Sequence, residues 1–283
     1  MEYEISLLTS MGIAVLFALS LNMITGFCGQ ISLGHAAFLG VGAYVSVLLT
    51  QAGVPFLVTL PASMLLAGLV GVVVGFASLR VRADFLAITT MGVGFLFVGI
   101  VRKQGWLGGE MGLSGFPESG LSRTGFMLLV LGLCVAVAAL SVYVRASWMG
   151  RVFNGIAEDE DTMRVLGMDV PRYKLAAFAI GTALAGMAGA LYSQHLHFIG
   201  PDSFGFVESI TVLSMVVVGG IGSVAGVTVA AALLSILPEW FQFIGDYKLL
   251  VYGGLLFLMM RFSPGGMAAL VRRMRNAMKK EPS

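Results

Sequence analysis

Long apolar blocks, separated by short breaks, run almost the full length of the chain. Between residues 5 and 79 there is no Lys, Arg, Asp or Glu. Residues 5–25 form one apolar block, ended by Gly26-Phe27-Cys28-Gly29-Gln30. Residues 33–51 form the next, followed by a Gly53-Val54-Pro55 turn. Residues 56–79 end in Arg80-Val81-Arg82, and residues 85–101 end in Arg102-Lys103. A polar, Gly-rich stretch, 104–123, precedes a fifth block at 125–144. The charged segment 145–174 separates it from a sixth at 175–194. After a loop at 195–206, the run 209–243 is interrupted by Gly219-Gly220-Ile221-Gly222-Ser223. It reads as a short or broken helix, a turn and a further span. Residues 249–261 close the set, and the tail is basic.

A soluble domain needs charged residues on its surface, so a charge-free run of this length has no place in one. A bilayer span needs about 20 mainly apolar residues. Backbone groups must be satisfied internally in lipid, so the spans are expected to be α-helices. The predicted fold is therefore all-α and polytopic, with about eight to ten spans and some broken or re-entrant segments. The blocks merge into one transmembrane domain over 1–283, with 145–174 and 263–283 as its polar appendages.

Lys and Arg set orientation. Arg145, Arg151, Arg164, Arg172 and Lys174 mark one cytoplasmic segment; Arg272, Arg273, Arg275, Lys279 and Lys280 mark a cytoplasmic tail. Counting back puts Arg80 and Arg82 inside and the acidic N-terminus, with Glu2 and Glu4, outside. Arg102 and Lys103 then fall outside, against the rule. An outside N-terminus and an inside C-terminus require an odd number of crossings, which favours nine. The acidic start argues for a retained first helix over a cleaved signal peptide.

Composition agrees: 58% of residues are hydrophobic, 11% are charged and mean hydropathy is +0.93. The net charge of +2 gives no nucleic-acid surface. Small residues recur at helical spacing in Gly68, Gly71, Gly75 and in Gly181, Ala185, Gly189, as close helix packing in membranes requires. Cys28 and Cys134 lie far apart in apolar surroundings and read as small apolar residues.

Chemistry has few places to reside. Residues 157–166 are expected to form a short helix with an acidic first turn, Glu158, Asp159 and Glu160, and a stop at Gly167. Ile156, Met163 and Leu166 would share its narrow apolar side, suited to a groove on a cytoplasmic partner. A plain solvated connection is the simpler reading of the same residues. Asn22, Gln30, Ser32 and His35 form a polar cluster within apolar sequence, facing either a cavity or neighbouring helices. For His35 a helix-packing hydrogen bond is the simpler use. His195 and His197 lack acidic or Cys neighbours, so no metal site is expected there. No Lys follows a Gly, which excludes the Gly-Lys-Ser/Thr phosphate loop and ATP hydrolysis by it. Gly112-Leu113-Ser114-Gly115 has the form used by intramembrane serine proteases but lies in a polar stretch. Glu239 and Asp246 lie near a helix end, which gives a proton relay little support.

The stretch Gly26-Phe27-Cys28-Gly29-Gln30-Ile31-Ser32-Leu33-Gly34-His35-Ala36-Ala37-Phe38 resembles the early signature of LivM-type permeases of high-affinity branched-chain amino acid ABC importers. Residues 151–174, with Glu158-Asp159-Glu160, Leu166-Gly167-Met168 and Arg172-Tyr173-Lys174, resemble that family's coupling region. Ala185-Gly186-Met187-Ala188-Gly189-Ala190-Leu191-Tyr192 and Val218-Gly219-Gly220-Ile221-Gly222-Ser223 also fit, in the family's order.

The resemblance implies a transport subunit of a bacterial or archaeal inner membrane, not an enzyme. It would carry leucine, isoleucine or valine, paired with a LivH-like second permease and supplied by an outer binding protein. No cofactor is expected in this chain, because two cytoplasmic ATPase subunits would bind ATP and Mg²⁺. Ala157, Glu158, Asp159, Glu160, Arg164, Leu166 and Gly167 would couple to one ATPase; Asn22, Gln30, Ser32 and His35 would shape the pathway. Urea or short amides are alternative cargoes within related importers. An ion-driven secondary transporter and a hydrolase centred on Ser114 are rival classes.

Overall fold

The computed structural model describes residues 2–78, 83–240, 247–262 and 265–267. Arg80, Arg82, Asp246 and residues 268–283 of the basic tail lie outside the described residues. The chain is all-α and polytopic. In order it forms α1 (Glu2–Leu21), α2 (His35–Gln51), α3 (Phe56–Ser78), α4 (Ala83–Lys103) and α5 (Arg123–Ala146). Two short helices follow, α6 (Trp148–Glu158) and α7 (Glu160–Val165), then α8 (Val170–Leu196), α9 (Phe206–Gly219), α10 (Val224–Trp240) and α11 (Lys248–Phe262). Among the described residues six helices are long and apolar enough to cross a membrane, and three shorter apolar helices, His35–Gln51, Val224–Pro238 and Leu249–Met259, accompany them. The nine crossings read from the sequence thus compare with six helices of full spanning length.

α8 is the axis of the bundle, packed against α1, α2 and α3. Lipid tails are as apolar as leucine, so these contacts depend on close fit rather than on escape from water. The small residues supply that fit. A Cβ on Gly189 of α8 would lie 1.9 Å from the Leu39 carbonyl oxygen of α2, and one on Gly71 of α3 would lie 1.9 Å from Thr182 Oγ1 of α8. Hydroxyls add short links: Ser63 Oγ donates to the Gly42 carbonyl at 3.0 Å, and Ser46 and Thr59 share a bond of 2.9 Å. Elsewhere α3, α4 and α5 expose leucine, valine and phenylalanine, as an outer surface facing acyl chains would.

Two opposite faces differ in chemistry. On one, Glu2 pairs with Arg123 at 3.1 Å, and a two-stranded ribbon joins β1 (Leu113–Ser114) to β2 (Phe198–Ile199). Arg102, the cation that broke the charge rule, donates to Asp202 at 2.5 Å on this face. The opposite face holds α6, α7, the break before α2 and the turn between α9 and α10.

Several boundaries differ from those read in the sequence. α8 begins at Val170, five residues before the expected 175, because Asp169 caps it and Pro171 occupies its first turn. His195 belongs to α8 and not to the following loop. The expected helix 157–166 is two helices. Asp159 has extended backbone (φ −155°, ψ 105°), ending α6 and capping α7. Ile156 is buried with α6, Met163 is half-buried against Gly155, and Leu166 is exposed, so these three do not share one apolar side.

The close fit of α8 yields a test. Gly189→Ala should destabilise the bundle by about 1–3 kcal/mol, since the added methyl meets backbone that cannot step aside. Gly132→Ala, where a Cβ meets nothing within 4 Å, should cost nothing measurable. Thermal melting of the purified variants in one detergent checks both, and equal melting points would refute the packing argument.

Candidate functional site

The break after α1 is a built structure. Asn22–Gly26 winds as one π turn, a form frequent at functional sites; helix ends at Cys28 and resumes at His35. Between them the backbone leaves orphan donors and acceptors, and side chains answer several of them. Thr90 Oγ1 accepts from Leu33 N at 3.0 Å, and Ser209 Oγ accepts from Ala36 N at 3.1 Å. Thr25 Oγ1 donates to the Gln30 carbonyl at 2.9 Å. Asn22 Oδ1 accepts from Gly222 N at 3.0 Å, which ties this break to the α9–α10 turn, where Gly220 and Gly222 have positive φ.

Gln30 extends the network. Its Nε2 donates to the Lys174 carbonyl of α8 at 3.0 Å. Lys174 Nζ in turn donates to Glu160 Oε2 of α7 at 2.5 Å, with both side chains largely shielded. The other Glu160 oxygen accepts from Arg164, which also reaches Asp161 at 2.7 Å. A polar chain thus runs from α7 through α8 into the first break, and Asn22, at the start of that break, separately reaches the second.

α6 and α7 divide two tasks. α6 is anchored: Val152, Phe153 and Ile156 are buried, and Phe153 meets Tyr173 edge-on. Ala157 sits against Gly29, whose positive φ turns the break towards it. α7 projects, with Val165 88% and Leu166 70% exposed and Gly167 (φ +83°) stopping it. Its N-terminus is held by Asp159, whose Oδ1 accepts from Asp161 N and Thr162 N, and whose Oδ2 accepts from the Thr162 hydroxyl. The Thr162 hydroxyl bond, then the Thr162 N–H bond, lowers the Asp159 pKa from its ordinary 3.8. The cap is therefore complete above that pH and is lost as the pH falls through the lowered value.

A cavity of about 480 Å³ lies towards the other face, between α1, α8, α9, α10 and α11. Ser10, Tyr192, His195, Ser203, Glu208 and Tyr252 supply its polar wall. Ser10 Oγ and His195 Nε2 are 2.8 Å apart.

The family model for "Branched-chain amino acid transport system / permease component" matches residues 4–260. The chain belongs to this family of permeases. The LivM permease protein of Escherichia coli (strain K12) is 35% identical over 92% of this chain and 68% of that protein. The LivM protein of Salmonella typhimurium is 33% identical over 95% and 71%, and the LivH permease of E. coli is 26% identical over 89% of both chains. No solved structure matches the chain.

The permease places its sequence-predicted residues in two sets. Asn22, Gln30, Ser32 and His35 are buried in helix packing around the break and do not line the 480 Å³ cavity. His35 bonds Ser20 Oγ at 2.8 Å through Nε2 and stacks on Phe17, whose ring does line that cavity. Asn22 Nδ2, Ser32 Oγ and His35 Nδ1 have no partner among the described residues. Ala157 and Glu158 end the anchored α6, Asp159 caps α7, Glu160 and Arg164 lie on it, and Leu166 and Gly167 close it. His197 stacks on Phe116, and Ser114 lies exposed in β1.

Reading the sequence passed over Lys174 as a structural partner of Glu160 and over Glu208 as a cavity residue. A lone acid at the start of an apolar run was the available signal for the second. Removing one charge of the shielded pair leaves the other uncompensated. Glu160→Gln should cost about 1–3 kcal/mol, less than the ~3–5 kcal/mol of a fully buried pair. Glu160→Gln with Lys174→Met should cost less than the sum of the two single changes. Melting of the four proteins decides it, and strict additivity would sever the proposed link.

Proposed function

We propose that this chain is the LivM-like half of an ATP-driven importer for leucine, isoleucine and valine in a bacterial or archaeal inner membrane. A LivH-like permease is its membrane partner, an outer binding protein delivers the amino acid, and two ATPase subunits bind ATP and Mg²⁺ on the cytoplasmic face. The whole of 1–283 acts as one permease domain, with 145–174 as its coupling segment and 263–283 as its cytoplasmic tail. The face carrying Glu2 is outside, and the face carrying α7 is inside.

The observation behind this reading is the exposed Val165–Leu166 pair on a capped helix that is also wired into the bundle through Glu160 and Lys174. An apolar pair in water has no stabilising role within the chain, but it suits a groove on a partner. Movement of that partner reaches α8 through the ion pair and the break through Gln30. Asn22, Gln30, Ser32 and His35 then shape the pathway as positioning residues: Asn22 and Gln30 tie the broken backbone, and His35 backs one cavity wall through Phe17.

Val165→Asp combined with Leu166→Asp tests the docking role. The permease should still insert and melt normally, while its ATPase partners should no longer co-purify in mild detergent and leucine uptake by reconstituted vesicles should drop at least about tenfold. Unchanged co-purification and uptake would remove α7 from the coupling role. Ser114→Ala should leave uptake intact, against the hydrolase reading.

A further inference from the structure

On the face that carries α7, a second cavity of about 380 Å³ lies between α6 and the two helix breaks. Gly26 of the first break and Gly222 of the second form part of its floor. Its positive charge comes from Arg145, in the last turn of α5, and Arg151 of α6. Both arginines are exposed, and among the described residues neither has an acidic partner. Arg151 is placed by its own helix start: a terminal nitrogen donates to the Ala146 carbonyl at 3.3 Å, and the guanidinium lies 5.7 Å over the Trp148 ring. Among the described lining residues there is one carboxylate, Glu158, to which Asn154 Nδ2 donates at 3.5 Å, so two cations face one anion. The flank of the cavity is apolar. α5 is long and apolar enough to span a membrane and exposes Leu128, Val135 and Val142 along its length. Where that surface ends, Tyr143 is 73% and Trp148 61% exposed.

We infer that this cavity binds the phosphate headgroup of an anionic phospholipid, in the leaflet on the α7 side, through Arg145 and Arg151. Guanidinium groups match phosphate oxygens in geometry and keep their charge at any physiological pH. Large exposed rings at the end of a span belong at headgroup level, where one edge meets hydrocarbon and the other meets water. Tyr143 and Trp148 therefore set the depth of the two arginines at that of lipid phosphates. The acyl chains of the bound lipid lie along the exposed face of α5. A free phosphate would satisfy the arginines equally but would make no use of the rings or of that apolar flank. A zwitterionic headgroup carries a cation of its own into a pocket that already has an excess of them, so anionic headgroups are preferred. The site is independent of the cargo that the permease carries.

Trp148 itself reports which lipid lies beside it. With Trp106→Phe and Trp240→Phe it is the single tryptophan of the full chain. The chain is reconstituted in vesicles of phosphatidylglycerol and phosphatidylcholine in equal amounts, with bromine on the acyl chains of one or the other. Bromine quenches indole fluorescence on contact, so the two quenching levels give the relative binding of the two lipids at this position. Phosphatidylglycerol should be preferred about five- to tenfold. Arg145→Gln with Arg151→Gln should bring the ratio to about one, and Arg145→Lys with Arg151→Lys should keep part of the preference. Inorganic phosphate should lower the ratio no more than chloride does at the same ionic strength. Equal quenching by both lipids, or a preference that survives the double glutamine change, would overturn the site. A ratio abolished by inorganic phosphate but not by chloride would overturn the lipid assignment in favour of the free anion. A surviving preference together with loss of the ATPase subunits from the double glutamine variant would give the pocket to those partners instead.

Discussion

Unsatisfied backbone is what a bundle in lipid can least tolerate. Each exposed N–H or carbonyl costs several kcal/mol where no water can reach it. This chain nevertheless interrupts its helices twice inside the packed body, at 29–34 and at 220–223. It does so by substituting side chains for the missing turns. Thr90, Ser209 and Asn22 accept from backbone N–H groups, and Thr25 donates to a backbone carbonyl. Polar residues that look out of place in apolar sequence are, in the first instance, the parts that make the breaks affordable. Asn22 links the two breaks, because from the π turn before the first its Oδ1 accepts from Gly222 N in the second.

The same repairs also connect the two ends of the molecule. Gln30 anchors the first break to α8 by the carbonyl of Lys174, and the Lys174 side chain reaches Glu160 of α7. One residue thus meets the break with its backbone and the projecting helix with its side chain. A surface ion pair would be worth little here, since solvent screens it. Lys174 is 11% exposed, so this pair is sheltered enough to hold geometry.

Legibility followed physical period. The apolar blocks needed only the spanning length of a helix in lipid, so the all-α polytopic fold and most helix positions were plain. Helix ends were less so where a cap overrides the charge pattern. Asp169 with Pro171 drew α8 back into the charged segment, and Asp159 split one expected helix into two. The polar cluster Asn22, Gln30, Ser32 and His35 was visible as an anomaly, but the part Asn22 plays in backbone repair depends on a partner 200 residues away in sequence, Gly222. Glu208 was hidden because a single acid at a helix start looks like ordinary dipole compensation. Only the approach of Tyr192 and Tyr252 from other helices turns it into part of a cavity wall.

Those cavity tyrosines are not independent of the projecting helix. α8 runs unbroken through 27 residues, a rod of about 40 Å. Lys174 stands at one end and Tyr192 and His195 at the other. Its small residues fit backbone against backbone along α2 and α3, so it cannot flex independently of them; it moves with them or not at all. A displacement of α7 conveyed to Lys174 must then appear at Tyr192 and His195 as a rigid-body shift of the cavity's wall. α9, which carries Glu208, ends at the turn held by Asn22 and Gly222, so its response passes through the repaired breaks instead. The two walls are thereby linked to the face that carries α7 by different routes, one through the rod of α8 and one through the repaired breaks. A difference between those routes is what alternating access requires, since moving both walls together would carry the cavity without opening it.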